Sequence, residues 1–450
     1  MVQRIEKLSR DLQARTQGRV VARGGPSYDN SRKIWNAAVD HYPEAIAFCE
    51  SVHDVQEAVR AARSHDVPLS VRSGGYDATG RSVRMDGLVI DLSRLDQVTI
   101  ENGIATVAGG ALAAQVIAAA SAHELMAATG WNGVPGMVGL TTVGGYGPLI
   151  ASRGLALDNL VGAELVRADG VRQLVDHTDN PDLLWALKGG GGNFGVVTSL
   201  RVRLYEARPM LAGMILFPLQ DGAAVLGRYA EFIRSASSNL SVVIGMISLP
   251  DGNAGLFLAP AWTGEVSEGE AVMELLKRCG QPIHAQIAPM SYQDLVRSFD
   301  ERVTTGLNYA VETRWIPSLD AETIPVLIAA AAERSSPMST VILQHFRGMA
   351  TQIPPDGSAF GLRREHFLVE FISCWQPSAD DDGAIHRRWA RKQSETLAPM
   401  SLPGGYPNAL QPHAQDQIAH AYGENLPRLQ AIKRRVDPDG MFSATPLPMP

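Results

Sequence analysis

Cysteine is scarce in this chain: Cys49, Cys279 and Cys374 are the three among 450 residues. Their number is odd and their spacing wide, so neither a disulfide framework nor a zinc site follows, and the pattern suits a reducing cytosol. Long apolar runs are missing too. The longest, 113–122 and 324–332, fall well short of the roughly 20 residues that span a bilayer. The first twenty residues alternate charge with Ile5, Leu8 and Leu12 and lack the apolar centre of a secretory signal. These absences predict a cytoplasmic protein with no membrane partner and no metal. An excess of positive charge is likewise absent. With 40 basic and 47 acidic residues the net charge is −7, which leaves no field to gather nucleic acid. Any anionic cofactor must therefore be held by backbone amides and single arginines.

What is present is a folded composition, 45% hydrophobic and 19% charged, with length enough for two domains. Ser51 caps a helix that sets Val55, Val59 and Ala62 on one face and ends before Pro68. A strand over 69–72 runs straight into Ser73-Gly74-Gly75. Strands follow over 87–92 and 104–108, then a helix over 111–123 and a hairpin around Asp169-Gly170. After Tyr205 the texture changes. Segments 210–217, 240–249, 255–262 and 366–375 read as sheet strands, with helices over 223–235 and 321–334 between them. That predicts a second, α+β domain built on an antiparallel sheet flanked by helices. The tail, 417–436, reads as one helix.

Gly190-Gly-Gly-Asn-Phe-Gly195 matches G-x-G-x-x-G in form. It follows a helical run and precedes a strand, whereas the dinucleotide fingerprint needs strand, turn, then helix. Its glycines still let backbone approach a ligand closely. In Arg72-Ser-Gly-Gly-Tyr76, successive amides can form an anion-binding nest, although for the segment by itself a plain β-turn is the commoner explanation. Gly136, Gly139, Gly144, Gly145 and Gly147 form a second cluster behind Trp131-Asn132, and Leu157-Asp158-Asn159-Leu160 accompanies a third element. Taken together, these elements point to one long ligand with phosphates.

These stretches resemble the berberine-bridge-enzyme-like branch of the vanillyl-alcohol-oxidase superfamily, flavoproteins with a PCMH-type FAD-binding domain. The resemblance rests on 43–54, Arg72-Ser-Gly-Gly75, Gly139-Leu-Thr141 with Gly144-Gly-Tyr-Gly147, and Gly154-Leu-Ala-Leu-Asp-Asn159. It continues through Asp182-Leu-Leu-Trp-Ala-Leu-Lys-Gly-Gly-Gly-Gly-Asn-Phe-Gly-Val-Val-Thr198 and Tyr422-Gly-Glu-Asn425 with Asp437-Pro438. It implies an FAD-binding domain over 1–205, a substrate domain over 206–404, and a C-terminal segment, 405–450, that returns to the first. It further implies that Arg72, Ser73, Gly74, Gly75, Tyr76, Asp77 and Gly80 wrap the FAD pyrophosphate and reach the flavin. Pro135, Gly136, Gly139, Leu140, Thr141, Gly144, Gly145 and Gly147 would line ring and diphosphate, and Asn193, Gly195 and Val197 the adenosine half. Asp158 and Asn159 stand either against the cofactor or as buried supports.

Two positions depart from the family. Tyr76 stands where a histidine usually bonds the flavin 8α-methyl, and Asn132 where some members add a cysteinyl bond. The expectation is non-covalent FAD with Tyr76 at the ring edge. By resemblance to a Tyr-x-Asn motif, Tyr406 is the candidate base and Asn408 a flavin or substrate contact. Glu370 is its candidate partner, or the base itself. Trp131, Trp315 and Trp375 are candidates for an aromatic substrate pocket, while His345 and His366 are read as structural. Pro135 falls near the position that governs oxygen access, which favours an oxidase. The resemblance thus implies hydride transfer from a small alcohol, sugar, amine or ring carbon to flavin N5, with O₂ as acceptor. Alternatives are an FAD-retaining cyclase or isomerase and a degenerate FAD-binding protein.

Overall fold

The computed structural model describes residues 2–449, with side chains from Lys7 onward; Met1, Pro450 and the Ile5 side chain lie outside the described residues. Three sheets carry the chain. The first has the order β1-β2-β4-β3, from β1 (Val20–Ala22), β2 (Ala45–Phe48), β3 (Leu69–Arg72) and β4 (Leu88–Asp91). β2, β4 and β3 run parallel, and β1 is antiparallel to β2. Every residue of β4 is buried, as the middle of a parallel stack requires. The helix Val52–Ser64 makes the crossover, and the Ser51 hydroxyl caps it by accepting from the Asp54 amide at 3.1 Å. The Asp54 carboxylate accepts from the amides of Gln17, Gly18 and Glu50. That ties down the N-terminal helix Val2–Arg15, whose Leu8 and Leu12 are fully buried.

The second sheet comprises β5 (Val98–Glu101), β6 (Ile104–Ala108), β7 (Leu125–Ala127), β8 (Leu160–Val166), β9 (Arg172–Asp176) and β10 (Val196–Glu206). Its order is β5-β6-β10-β8-β9, with β7 on the far end of β10, all antiparallel. The predicted Asp169-Gly170 hairpin joins β8 to β9, with Gly170 at a φ of +75° that suits glycine.

The third sheet begins four residues after β10 ends. It contains β11 (Met210–Pro218), β12 (Leu240–Ser248), β13 (Ala254–Trp262), β14 (His284–Met290), β15 (Asn308–Ile316), β16 (Thr340–Phe346) and β17 (His366–Trp375), in the order β14-β11-β13-β12-β16-β17-β15. All its pairings are antiparallel, and the α+β class expected from the sequence is what the chain adopts. Strand side chains alternate between faces. Phe367, Val369 and Phe371 therefore join a core with Val225, Leu226, Met273, Leu327 and Trp389 from four helices. Those helices are Gly222–Ile233, Val266–Lys277, Thr323–Ala332 and Ala384–Leu397. Glu370, Ile372 and Cys374 fall on the other face.

The tail differs from the single helix expected. It forms two, Gln415–His420 and Leu426–Val436, parted by a turn, because Pro427 sits in the first turn of the second where its missing N–H costs nothing. No helix among the described residues is long and apolar enough to cross a membrane. All three cysteines are buried free thiols.

Candidate functional site

A cavity of about 1600 Å³ lies between the glycine-rich loops and the face of the third sheet opposite Phe367, Val369 and Phe371. Ser73, Gly74, Gly75, Tyr76, Asp77 and Gly80 line it from the loop after β3, and Pro135, Gly136, Gly139, Leu140 and Gly145 from the second cluster. Asn193, Gly195 and Val197 enclose another stretch, while Trp131, Glu370, Tyr406 and Asn408 complete the predicted residues that reach it.

The loops meet backbone to backbone. A Cβ on Gly74 would stand 2.5 Å from the Gly136 nitrogen, so any side chain there would force the two turns apart. Gly75 turns at φ +65°. Asp77 braces the same loop by accepting from Thr79 N at 2.9 Å and Ser82 N at 2.8 Å. Asn193 spends its side chain on the C-terminus, donating to the Thr445 hydroxyl at 2.8 Å and accepting from the Thr445 amide at 3.2 Å.

Several sequence-predicted residues do not line the cavity. Arg72 is buried against Asp91, its neighbour in parallel register on β4, and locks β3 to β4. Thr141 is fully buried within the helix Met137–Val143. Gly144 is the seat of Tyr406: a Cβ there would lie 2.6 Å from the Tyr406 ring. Gly147 packs against the Thr129 carbonyl with no room for a side chain. Asp158 accepts from both Arg363 terminal nitrogens, at 2.9 and 3.0 Å, deep inside the protein. Asn159 donates to the Arg153 and Leu155 carbonyls and accepts from the Tyr205 hydroxyl at 2.6 Å. Both are buried supports. Trp315 packs edge-on against Phe360 and His366, and Trp375 stacks on His386, with ring centres 4.7 Å apart.

Other residues reach the site without having been expected there. Trp35 stacks on Tyr309 with ring centres 3.9 Å apart and lies 4.3 Å from Tyr76. Gln344 donates to Glu370 Oε2 at 2.7 Å across β16 and β17. Arg81 reaches over to the loop that carries Tyr406, donating to the carbonyls of Pro407, Asn408 and Leu410. Tyr146 lies beside Tyr406, ring centres 5.5 Å apart and nearly perpendicular, and its hydroxyl is 2.8 Å from His366 Nε2. The period-two pattern of β17 groups Glu370 with Ile372 and Cys374, but no pattern within one strand says which face is covered by helices. Gln344 and Trp35 become visible only in three dimensions.

Removal from water dominates the electrostatics. It raises the Glu370 carboxyl above its usual value, and the Gln344 hydrogen bond only partly offsets this. Burial likewise pushes the Tyr406 phenol up to about 12; the Gly145 amide, which donates to its oxygen at 3.2 Å, pulls the other way, and Glu370 adds to the rise. The Tyr76 phenol is raised by burial and by Glu370, against a hydrogen bond with Asn132. His366 is held at about 3 by burial. Its Nδ1 faces the Arg364 carbonyl at 2.8 Å, so that nitrogen carries the hydrogen and Nε2 accepts from Tyr146.

Residues 43–175 match the family described as FAD binding domain, and residues 405–446 match the one described as berberine and berberine like. The chain is an FAD-dependent oxidoreductase with a berberine-like C-terminal segment. The FAD-linked oxidoreductase aurO of Gibberella zeae is 29% identical over 94% of this chain and 84% of its own. An (R)-6-hydroxynicotine oxidase of Paenarthrobacter nicotinovorans is 28% identical over 95% of both chains. The crystal structure of a 6-hydroxy-D-nicotine oxidase from Arthrobacter nicotinovorans superposes with a TM-score of 0.86 at 27% identity, covering 96% of this chain and 97% of that one. The chemistry of this oxidoreductase is thus FAD-dependent oxidation.

The residues present fit such a cofactor. The cavity exceeds the roughly 300–1,000 Å³ usual for one small ligand. A Cβ on Gly139 would meet nothing within 4 Å, so that glycine leaves its stretch of wall open. The Ser82 hydroxyl, on a residue that lines the cavity, is buried without a partner in the protein.

Proposed function

We propose that this chain is an oxidase that holds FAD without a covalent bond and uses Glu370 as the base. The single observation that carries this reading is the convergence of Tyr76, Asn132, Tyr406 and Glu370 on one cavity between two glycine turns. Ser73 to Asp77, Gly80, Gly136, Gly139 and Gly145 would hold the diphosphate and ring, and Gly195 and Val197 the adenosine half. Bound FAD supplies the two-electron chemistry: a hydride is taken from a carbon next to oxygen or nitrogen, and the electrons pass to O₂ to give H₂O₂.

The protein's part is to bind, orient and take a proton. A phenol held near 12 remains protonated at neutral pH, so Tyr406 acts as a donor that orients substrate while Glu370 accepts the O–H or N–H proton. A raised carboxyl stays closer to neutrality, where proton acceptance is most effective. The Gly145 amide and Arg81 keep Tyr406 in place.

The raised phenol of Tyr76 argues against a tether. Bonding to the flavin methyl needs the phenolate of Tyr76, and burial together with Glu370 disfavours it. Acid precipitation of the yellow protein tests this, with colour expected in the supernatant; colour left in the pellet would refute it. Anaerobic mixing with candidate substrates tests the oxidase reading, since bleaching followed by recovery in air is required.

A further inference from the structure

A base is useful only if something close by aims it and sets its charge. Resting on the reading of Glu370 as the base, we propose that Gln344 is its positioning residue. The Gln344 amide pins Glu370 Oε2, leaves Oε1 to the substrate and favours the ionised carboxylate that can accept a proton.

The register of the third sheet makes the contact. β16 and β17 pair with Ile342 opposite Glu370 and Gln344 opposite Leu368, so Gln344 and Glu370 are diagonal neighbours on the cavity face. Gln344 Nε2 donates to Glu370 Oε2 at 2.7 Å. An ionised carboxylate only accepts, so the amide presents its nitrogen there and not its oxygen. Among the described residues no lysine, arginine or histidine pairs with this carboxylate; burial raises it and the Gln344 amide opposes the rise. Arg302 lines the same cavity but reaches Met214 Sδ at 3.5 Å instead. The phenols of Tyr76, Tyr146 and Tyr406 are raised by burial and further by Glu370, so they stay neutral. Burial raises the Cys374 thiol on the same strand too, and Thr313 faces Glu370 from β15. One neutral amide is therefore what favours the charged form.

The far end of that amide shows that the contact serves more than stability. Gln344 Oε1 is buried without a partner in the protein. An acceptor left so costs free energy that an apolar side chain of the same shape would avoid. Turning the amide over would set that oxygen against the carboxylate. The amide is held best while Glu370 is ionised, because a charged acceptor makes the stronger hydrogen bond. In turnover the proton passes from the substrate O–H or N–H to Glu370 Oε1 while Oε2 keeps its partner. The carboxyl thus keeps its place as its charge changes, and the proton leaves to solvent before the next cycle.

The test follows the carboxyl itself in the FAD-loaded protein, by infrared titration of the C=O stretch of its neutral form, with Glu370→Gln assigning the band. Gln344→Met keeps the length of the side chain and removes both the donor and the unpaired oxygen. In that variant Glu370 is expected to titrate about one to two pH units higher than in the parent, the worth of a hydrogen bond to a charged group. Gln344→Glu is expected to split the titration into two steps, because adjacent carboxylates share one proton. It carries the test should the first variant misfold. A titration unmoved by Gln344→Met, or a single unshifted step in Gln344→Glu, would make the amide merely structural and overturn the proposal, with Glu370 still standing as base. A parent carboxyl that fails to ionise between about pH 4 and pH 10 would overturn the base reading along with it.

Discussion

Tyr146 donates its hydroxyl proton to His366 Nε2 at 2.8 Å, which makes the imidazole a neutral acceptor behind the cavity wall. Removing the donor leaves that nitrogen buried and unpaired. Tyr146→Phe should therefore lose about 1–3 kcal/mol in urea unfolding of the FAD-saturated protein. No loss would show that water replaces the hydroxyl.

The same histidine makes stability depend on pH in a definite direction. Its folded value, about 3, lies below the ordinary 6.5, so the unfolded chain takes up a proton that the folded one refuses. Its contribution is complete above about pH 6.5 and drains away as pH falls toward 3. His366→Gln should lose less stability than the parent between about pH 7 and pH 4. Equal losses would place the acid sensitivity elsewhere.

Cofactor retention by non-covalent contacts alone predicts mass action. The thermal midpoint should rise with added FAD, by about 2.7 kcal/mol of stability at 100 times the dissociation constant. Dialysis should yield colourless protein that regains its spectrum with FAD. A midpoint indifferent to free FAD would argue for a tether.

Glu370→Gln should lower kcat/KM by about 10²–10⁴ while the flavin spectrum stays intact. In the parent, activity should rise with pH through a carboxyl limb lying above the usual 4.5, because only the ionised form accepts a proton. That limb should vanish in the variant. Tyr406→Phe should cost less and leave the limb in place; a larger loss there would make the phenol the base after all.

Asp158→Asn should cost about 3–5 kcal/mol, since Arg363 would be left as an uncompensated buried charge. The loss should be equal with and without saturating FAD. A loss appearing only with FAD would return Asp158 to the cofactor's side.

Much of this was legible in the residues. The Ser51 cap, the Asp169-Gly170 turn and the apolar strands of the third sheet follow from local rules that no distant contact overrides. Glycine runs located the cavity because closeness of backbones is a property of glycine itself. What stayed hidden depends on partners far along the chain. Arg72 sits inside a matching motif yet meets Asp91 rather than the cavity, and Asp158 meets Arg363, 205 residues away. Trp315 and Trp375 look as available as Trp131, and only their partners separate them: Phe360 and His366 take up Trp315, and His386 takes up Trp375. The break in the tail was within reach, since Pro427 stands in the run and marks a helix start.

Arg81 holds the carbonyls of Pro407, Asn408 and Leu410, while Asn193 and Lys433 bind the last turn of chain to the first half. The enclosure is therefore assembled from segments far apart along the chain. During synthesis the glycine loops emerge well before the wall bearing Tyr406, which follows Gly145 by 261 residues. Full enclosure of the flavin is consequently a late event in this protein's maturation, and a nascent chain stalled before residue 405 has the glycine loops and the third sheet but lacks the wall that Tyr406 and Asn408 supply.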